Sequence, residues 1–365
     1  MHVLITADTV GGVWTYTREL VCGLLDRGHR VTLVSFGRMP TSAQTSWMEK
    51  KNLAYYPTSF PLEWMQDSES GIAESAKYLD QIIATAHPDI LHFNQFCYGA
   101  LECGTPKIVV AHSDVLSWWK SVHDDPFPQS PWFAWYRDVV SKGLDGADAI
   151  IAPSRSMLDT LRENYGLSSQ RVNAVHNGRN ADLFVPSAYK TNCVLTVGRL
   201  WDEAKQIKLL LDRTHPVPVR IVGTLQHPDN GESFSLDTSA NATFSGEQDE
   251  AQLRALYSES SIYVATSRYE PFGLAPVEAA LSGCALIAND ISTFHELWDD
   301  AALYFKHNDA DSLAEAIRLL SENHSLRTEY AQRACERARR LFIAQRMVSD
   351  YEDLYFNLTS KRAAA

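Results

Sequence analysis

The chain has 365 residues, which is too long for one ordinary α/β core and is suited to two. Hydrophobic residues make up 45% and charged residues 21%, as in an ordinary globular protein. The net charge of −12 argues against a nucleic-acid binder, because such proteins carry a basic face. No stretch reaches the roughly 20 apolar residues that span a bilayer, and the six cysteines form no CxxC pair, so we expect a cytoplasmic protein with reduced thiols.

In the first half, short apolar runs alternate with amphipathic helical patterns. This alternation predicts a parallel sheet with crossover helices. The predicted strands are His2–Thr6, Arg30–Phe36, Ile90–Asn94, Lys107–His112 and Ala149–Pro153. The predicted helices are Thr15–Arg27, Ile72–Ala86 and Phe133–Leu144.

The same alternation starts again after the polar stretch Pro186–Asn192. The predicted strands are Cys193–Gly198, Val219–Gly223, Ser261–Thr266 and Cys284–Ala288. The predicted helices are Glu250–Glu259, Pro276–Ser282, Asp311–Ser321, Leu326–Leu341 and Ala344–Asn357, followed by a frayed tail, Leu358–Ala365. We therefore predict two α/β domains, residues 1–187 and 188–342, with a last helical segment at 343–365.

Glycines follow the first predicted strand, in the loop that contains Gly11 and Gly12. Glycine allows the backbone to approach a ligand closely, and a helix start offers unpaired N–H groups to an anion. The loop does not match the G-x-G-x-x-G pattern, so it is not a dinucleotide fingerprint. A plain tight turn and a ligand loop both remain open here.

A pair of basic residues follows the first strand of the second half, where Arg199 comes directly after Gly198 and Lys205 lies six residues on. Arg offers a planar fork to phosphate oxygens, and Lys offers a mobile point charge. Ligands of doubly wound folds bind at the carboxyl ends of strands, where these residues fall. The alternative is that both form ordinary surface ion pairs.

The most specific pattern is the string from Glu270 to Glu278, which follows the predicted strand Ser261–Thr266. Pro276 fits the first helical position, which would put Glu278 in the first helical turn. The backbone N–H groups of residues 272–274 would then lie at a helix start that can bind an anion. The alternative is a capping glutamate and a solvated loop acid.

This string resembles the E-x7-E signature of the retaining family-four glycosyltransferases, which are relatives of glycogen synthase. The resemblance covers nearly the whole chain. It includes the Gly11-Gly12 loop, residues 176–178 with Phe184 beyond, the segment from Gly198 to Lys205, and Gly283 after the motif helix. It implies a GT-B fold, in which two Rossmann-like domains face each other across a cleft, and a transferase of carbohydrate biosynthesis.

The resemblance also implies roles for individual residues. Arg199 and Lys205 would bind the donor diphosphate, Glu270 the donor sugar, and Glu278 the ribose. The donor would further contact Phe272, Gly273, Leu274, Gly246, Gly11 and Gly12. His112 would lie near the reacting centre, although a lone histidine after a strand is often structural. The last helix would pack back on the first domain.

The polar loop 226–242 and the segment around Gly246 would border the nucleobase, and their departure from the family pattern leaves the base open. We expect a UDP- or GDP-linked sugar as the donor substrate, no cofactor and no metal. The acceptor would be a small molecule, a glycan or a lipid-linked sugar. The alternatives are another GT-B enzyme, such as a nucleotide-sugar epimerase or a sugar-phosphate-using transferase, and a non-catalytic nucleotide-sugar binder.

Two other features stay open. The aromatic segment from Trp118 to Tyr136 could form an acceptor wall, a weak membrane contact or an internal packing cluster. The acid pairs Asp124-Asp125 and Asp299-Asp300 suit solvated loops better than a metal site, since neither follows a predicted strand. Sequence leaves the oligomeric state undetermined.

Overall fold

A computed structural model describes residues 1–48, 52–167, 171–226 and 241–363, with the side chains of 361–363 outside that description. Contacts divide the chain into two units. The first unit comprises Met1–Lys120, Asp125–His176 and Ala344–Ala365, and the second comprises Ser121–Asp124 and Asn177–Ile343.

Each unit is built on one parallel sheet. The strands of the described residues are β1 (His2–Asp8), β2 (Arg30–Phe36), β3 (Leu53–Pro57), β4 (Ile90–Phe93), β5 (Lys107–Val110), β6 (Ala149–Ala152), β7 (Val172–Ala174), β8 (Thr191–Val197), β9 (Val219–Val222), β10 (Ala242–Phe244), β11 (Ser260–Ala265), β12 (Ala285–Asn289) and β13 (Ala302–Phe305). Their order is β3-β2-β1-β4-β5-β6-β7 in the first unit and β10-β9-β8-β11-β12-β13 in the second. The central strands β1, β4, β11 and β12 are buried along their whole length, as expected of strands covered on both faces.

Helices supply the crossover connections. They are α1 (Gly12–Asp26), α2 (Ser42–Thr45), α3 (Glu69–Ala86), α4 (Val115–Val122), α5 (Pro131–Gly146), α6 (Arg155–Tyr165), α7 (Lys208–Leu211), α8 (Glu250–Glu259), α9 (Leu274–Leu281), α10 (Ser292–Trp298), α11 (Ala310–Glu322), α12 (His324–Leu341) and α13 (Ala344–Ala363). The predicted class of two α/β domains with parallel sheets is confirmed.

The last helix differs from its prediction at the C-terminal end. The tail Leu358–Ala365 was expected to fray, yet α13 continues to Ala363. Leu358 packs against the core of the first unit, and the Thr359 hydroxyl donates to the Tyr355 carbonyl at 2.9 Å. These contacts extend the helix beyond the point where its polar sequence suggested an end.

The boundary between the units falls at His176/Asn177, whereas the sequence placed it at 187/188. Residues just after the boundary pack with the second unit. The Arg179 N–H donates to the Phe342 carbonyl at 2.9 Å, and Phe184 lies in the same buried cluster as Phe342. Residues 186–190 of the polar stretch that suggested a linker therefore form a loop of the second unit, and residues 191 and 192 already belong to β8.

Candidate functional site

The sheet order of the second unit reverses between its neighbouring strands β8 and β11. Connections leave such strands on opposite faces, and this switch point at the carboxyl ends is where doubly wound folds bind ligands. Arg199 and Lys205 follow β8, and Glu270 follows β11. The fold thus brings two segments that are distant in sequence to one edge of the sheet.

Lys205 and Glu270 form the centre of this edge. The Lys205 Nζ lies 2.5 Å from Glu270 Oε2, and the Ser267 hydroxyl donates to the same oxygen at 3.1 Å. Both charged side chains are mostly buried, with 17% and 14% of their surface exposed. The fold therefore brings a cation and the loop glutamate into direct contact at this edge.

Backbone contacts hold the two loops together. The Arg268 N–H donates to the Ala204 carbonyl at 2.8 Å, and the Thr266 hydroxyl donates to the Lys205 carbonyl at 2.5 Å. The Asp202 carboxylate accepts the Ala204 N–H at 3.0 Å and so shapes the turn that carries Lys205. The ion pair therefore rests on a network that orders both of its partners.

Helix α9 begins earlier than predicted. Gly273 caps it in the left-handed region at φ 88°, so Leu274 is the first helical residue, Pro276 the third and Glu278 the fifth. The prediction that Pro276 opens the helix and that Glu278 lies in the first turn is wrong. Proline is tolerated at the third position because the first four N–H groups have no partner within the helix. No side chain caps this start in the described part of the chain.

Gly273 is constrained by more than its backbone conformation. A Cβ at this position would lie 3.2 Å from Glu270 Cγ and 3.2 Å from Pro276 Cγ. The neighbouring Phe272 points the other way, into the core, where its ring meets Phe342 edge-on at 5.3 Å. Phe272 thus anchors the loop, and any donor contact from this residue would be through its backbone.

Arg199 is paired locally. Its Nη2 lies 2.8 Å from Asp202 Oδ2, and the guanidinium lies 5.4 Å from the centre of the Trp201 ring. The Arg199 side chain is 44% exposed, whereas that of Asp202 is 4% exposed, so the ion pair that the sequence left open is present but only its arginine lies at the surface. The exposed guanidinium is accessible to a phosphate.

Glu278 is held by a residue that the sequence analysis did not single out. The Arg179 Nε lies 2.8 Å from Glu278 Oε1, and its Nη2 lies 3.0 Å from Glu250 Oε1. Arg179 is 2% exposed, and its guanidinium also lies 5.1 Å from the Phe184 ring. Burial, and after it the nearby Glu278 carboxylate, raise the pKa of Tyr257 well above its usual range. The sequence signal that could have identified Arg179 is its position directly after residues 176–178, which belong to the family pattern.

The buried side-chain amide of Asn289 joins the two loops. Asn289, at the end of β12, is fully buried, and its Nδ2 donates to the Ser267 carbonyl at 3.2 Å and to Asn308 Oδ1 at 2.9 Å. Its Oδ1 accepts the Asn308 N–H at 3.0 Å, and its Nδ2 lies 3.4 Å from Gln206 Oε1. Asn289 therefore connects the segments that carry Lys205 and Glu270.

Gly246 follows β10 at the same edge of the sheet, with φ at 68°, and its carbonyl accepts the Gly223 N–H at 2.9 Å. The adjacent Phe244 is 36% exposed, which is high for a large apolar side chain. Of the polar loop 226–242 that was expected to border the nucleobase, residues 227–240 lie outside the described residues.

The first unit has a corresponding switch point between β1 and β4. Gly11 and Gly12 follow β1 and are exposed, and Gly11 caps α1 at φ 79° with no side-chain cap among the described residues. A left-handed φ favours glycine, so the turn accounts for Gly11 by itself. Both interpretations of this loop therefore remain compatible with its geometry.

His112 lies beyond the end of β5, two strands from β1 in the same sheet. Its Nε2 lies 2.8 Å from Asn94 Oδ1, and its ring meets Tyr16 edge-on with centroids 4.5 Å apart. Burial lowers the pKa of His112 to about 3, so the imidazole is neutral at neutral pH.

The aromatic segment packs largely on itself. Phe133 and Tyr136 are buried, Phe127 lies 5.3 Å from Phe133, and Trp132 stacks on Tyr136 at 5.6 Å between centroids. The packing interpretation accounts for these rings. Trp118 and Trp119 are half-buried on α4.

The acid pairs behave as surface groups. All four carboxylates are on exposed residues, and those of Asp299 and Asp300 lie 3.6 Å and 4.0 Å from Arg337 and Arg333. Within the described residues, no group of three or more His, Cys, Asp or Glu is arranged to hold a metal ion. No helix of the same residues is long and apolar enough to cross a membrane.

Known families match both parts of the chain. Residues 10–183 match Glycosyltransferase Family 4, and residues 183–337 match Glycosyl transferases group 1. The GDP-mannose-dependent alpha-mannosyltransferase of Mycolicibacterium smegmatis is 30% identical over 318 residues, which is 80% of each chain. The O-antigen chain mannosyltransferase RfbU of Salmonella typhimurium is 26% identical over 217 residues, 55% of this chain and 60% of that relative.

Solved structures share the fold. The sucrose-phosphate synthase of Thermosynechococcus elongatus superposes with a TM-score of 0.81 at 18% identity, covering 99% of this chain and 100% of that one. Anabaena HepE in complex with UDP-glucose gives 0.76 at 17% identity, covering 98% and 100%. Together with the two family matches, these similarities establish that the chain belongs to the family-four glycosyltransferases and has their GT-B fold.

Proposed function

We propose that this glycosyltransferase transfers a hexosyl group from a UDP- or GDP-linked sugar to a hydroxyl acceptor, with retention of anomeric configuration and without a metal ion. The observation that carries the proposal is the ion pair between Lys205 and Glu270 at the switch point of the second unit. The mannosyltransferase of M. smegmatis is named for GDP-mannose, and HepE was solved with UDP-glucose, which supports a nucleotide-sugar donor of either base.

The charges suit departure of a nucleoside diphosphate. Lys205, Arg199 and the start of α9 would stabilise the negative charge that develops on the leaving diphosphate. Glu270 would accept hydrogen bonds from hydroxyls of the transferred sugar. Glu278, held by Arg179, would bind the ribose.

Retention needs no protein nucleophile in this arrangement. The acceptor oxygen would attack the anomeric carbon on the face that the diphosphate leaves, and a diphosphate oxygen would take the acceptor proton. The protein then contributes positioning and charge stabilisation. The acceptor would be a small molecule, a glycan or a lipid-linked sugar bound by loops of the first unit, where Trp118 and Trp119 lie.

A panel of nucleotide sugars tests the donor. We expect a UDP- or GDP-sugar to raise the melting temperature, because ligand binding stabilises the native state, and calorimetry to give saturable binding. We expect proton NMR of the product to show the same anomeric configuration as that of the donor sugar. Absence of binding by every nucleotide diphosphate would exclude the proposal, and isomerisation of the donor without an acceptor would indicate an epimerase instead.

A further inference from the structure

The core of the first unit contains a row of polar side chains that are connected by hydrogen bonds and lead to His112. Tyr355 on α13 is fully buried, and its hydroxyl lies 2.6 Å from His92 Nδ1. His92 on β4 is also fully buried, and its Nε2 lies 3.3 Å from Asn94 Oδ1. The same Asn94 oxygen lies 2.8 Å from His112 Nε2. The row therefore runs from the C-terminal helix to His112.

Asn94 sets the direction of these hydrogen bonds. Its Nδ2 donates to the Thr6 carbonyl at 2.6 Å, and a carbonyl can only accept, so the amide orientation is fixed. Oδ1 then faces both histidines and can only accept as well. His92 and His112 must each donate through Nε2–H. His92 Nδ1 consequently carries a lone pair, and the Tyr355 hydroxyl donates to it.

Both histidines carry a single ring proton at neutral pH. Burial lowers the pKa of His92 and of His112 to about 3, and the proximity of the two rings adds to the effect at His92. The Tyr16 hydroxyl oxygen, 3.2 Å from His92 Nε2, accepts a share of the same N–H. The position of the proton is thus decided by hydrogen-bond partners rather than by solvent.

We propose that Asn94 fixes His112 as its Nε2–H tautomer, and that Tyr355 and His92 are positioning residues that hold Asn94 for this task. In this tautomer, Nδ1 of His112 is an acceptor, and within the described residues the hydrogen bonds of His112 involve Nε2 alone. His112 would accept a hydrogen bond from a hydroxyl of the bound sugar and could not donate one. The catalytic consequence rests on the proposed function, whereas the tautomer does not.

Nitrogen-15 NMR of histidine-labelled protein tests the tautomer without any substrate. We expect both His92 and His112 to be protonated on Nε2 across neutral pH, and Asn94→Leu to produce a mixture of tautomers at His112. A wild-type His112 protonated on Nδ1 would overturn the proposal. This readout stands even if no nucleotide sugar is a donor, so a failure of the proposed function is distinguishable.

The helix contribution is tested with a matched pair of hydroxyl deletions. Tyr355→Phe removes the donor to His92, whereas Tyr98→Phe, also buried in the same unit, removes a hydroxyl that donates to the Ser75 hydroxyl at 2.9 Å instead. We expect Tyr355→Phe to lower kcat about five- to ten-fold with KM for the donor unchanged, and to shift the His92 ring nitrogens. Equal kcat and equal His92 shifts in the two variants would refute the role of Tyr355.

Discussion

Lys205 and Glu270 come from loops that follow neighbouring strands, and their charged atoms are 2.5 Å apart with little exposure to solvent. Neither charge would be stable there alone, because a buried charge without a partner is costly. The pair therefore keeps each side chain oriented. A diphosphate and a sugar hydroxyl can then replace parts of this interaction when the donor binds.

We expect Glu270→Gln and Lys205→Met each to lower kcat by about 10²- to 10³-fold, as for loss of one preorganised electrostatic contact in other enzymes. The double variant should lose much less than the product of the two effects, because the residues interact. Steady-state kinetics, with the donor that the nucleotide-sugar panel identifies, measures both effects. Arg213→Met breaks an exposed ion pair with Asp311 in the same unit and serves as the control.

Arg179 should affect stability and donor binding separately. Arg179→Met leaves the Glu278 carboxylate without its buried partner, and we expect a loss of about 3–5 kcal/mol in the free energy of unfolding of the second unit. The double variant with Glu278→Met should recover most of this loss, because both charges are gone. Chemical denaturation measures the difference.

The same double variant tests the ribose contact. Calorimetry should show weakened nucleotide diphosphate binding even where stability has recovered, because the carboxylate that would bind the ribose is absent. Wild-type affinity in the stable double variant would show that Glu278 acts in the fold alone.

Asn289 should affect activity by holding the loop that carries Glu270 in position. Asn289→Ala removes the donor to the Ser267 carbonyl and the contacts with Asn308, and leaves buried partners unsatisfied. We expect a loss of about 1–3 kcal/mol in stability and a lower kcat. The control is Asn192→Ala, which removes an amide donor to the Ser321 carbonyl. Asn192 lies near the start of β8, at the end of the sheet opposite to the candidate site. If both variants kept full activity, Asn289 would have no positioning role.

The buried His92 predicts acid sensitivity of the first unit. Its pKa is about 3 in the folded state and 6.5 when unfolded, so below pH 6.5 the unfolded chain binds more protons. The contribution of His92 to the free energy of unfolding is therefore fully present above pH 6.5 and is lost as the pH drops towards 3. For this residue we expect a loss of about 2 kcal/mol between pH 7.5 and pH 5.

Chemical denaturation at several pH values measures this loss. Amide hydrogen exchange of the β4 residues assigns it to the first unit. His92→Leu should reduce the slope of stability against pH, while His87→Asn, at an exposed position, should leave it unchanged. An identical slope in wild type and His92→Leu would contradict the prediction.

Much of the fold was predictable from local sequence. The bounds of β2 and α8 match their predictions at both ends, because long apolar or amphipathic patterns with clear caps specify an element locally. The strands β3, β7, β10 and β13 were missed, since each has three to five residues and partly exposed positions. Their pairing depends on neighbouring strands rather than on their own pattern.

By itself the sequence determined the two-domain α/β class, the family and the loop that carries Glu270, because order and spacing of residues along the chain carry that information. The partners of those residues were decided by the tertiary structure. Lys205 meets Glu270, Arg179 meets Glu278, and Tyr355 reaches His92, each across a long separation in sequence. Such contacts depend on strand order and helix packing, which bring together side chains that no local pattern relates.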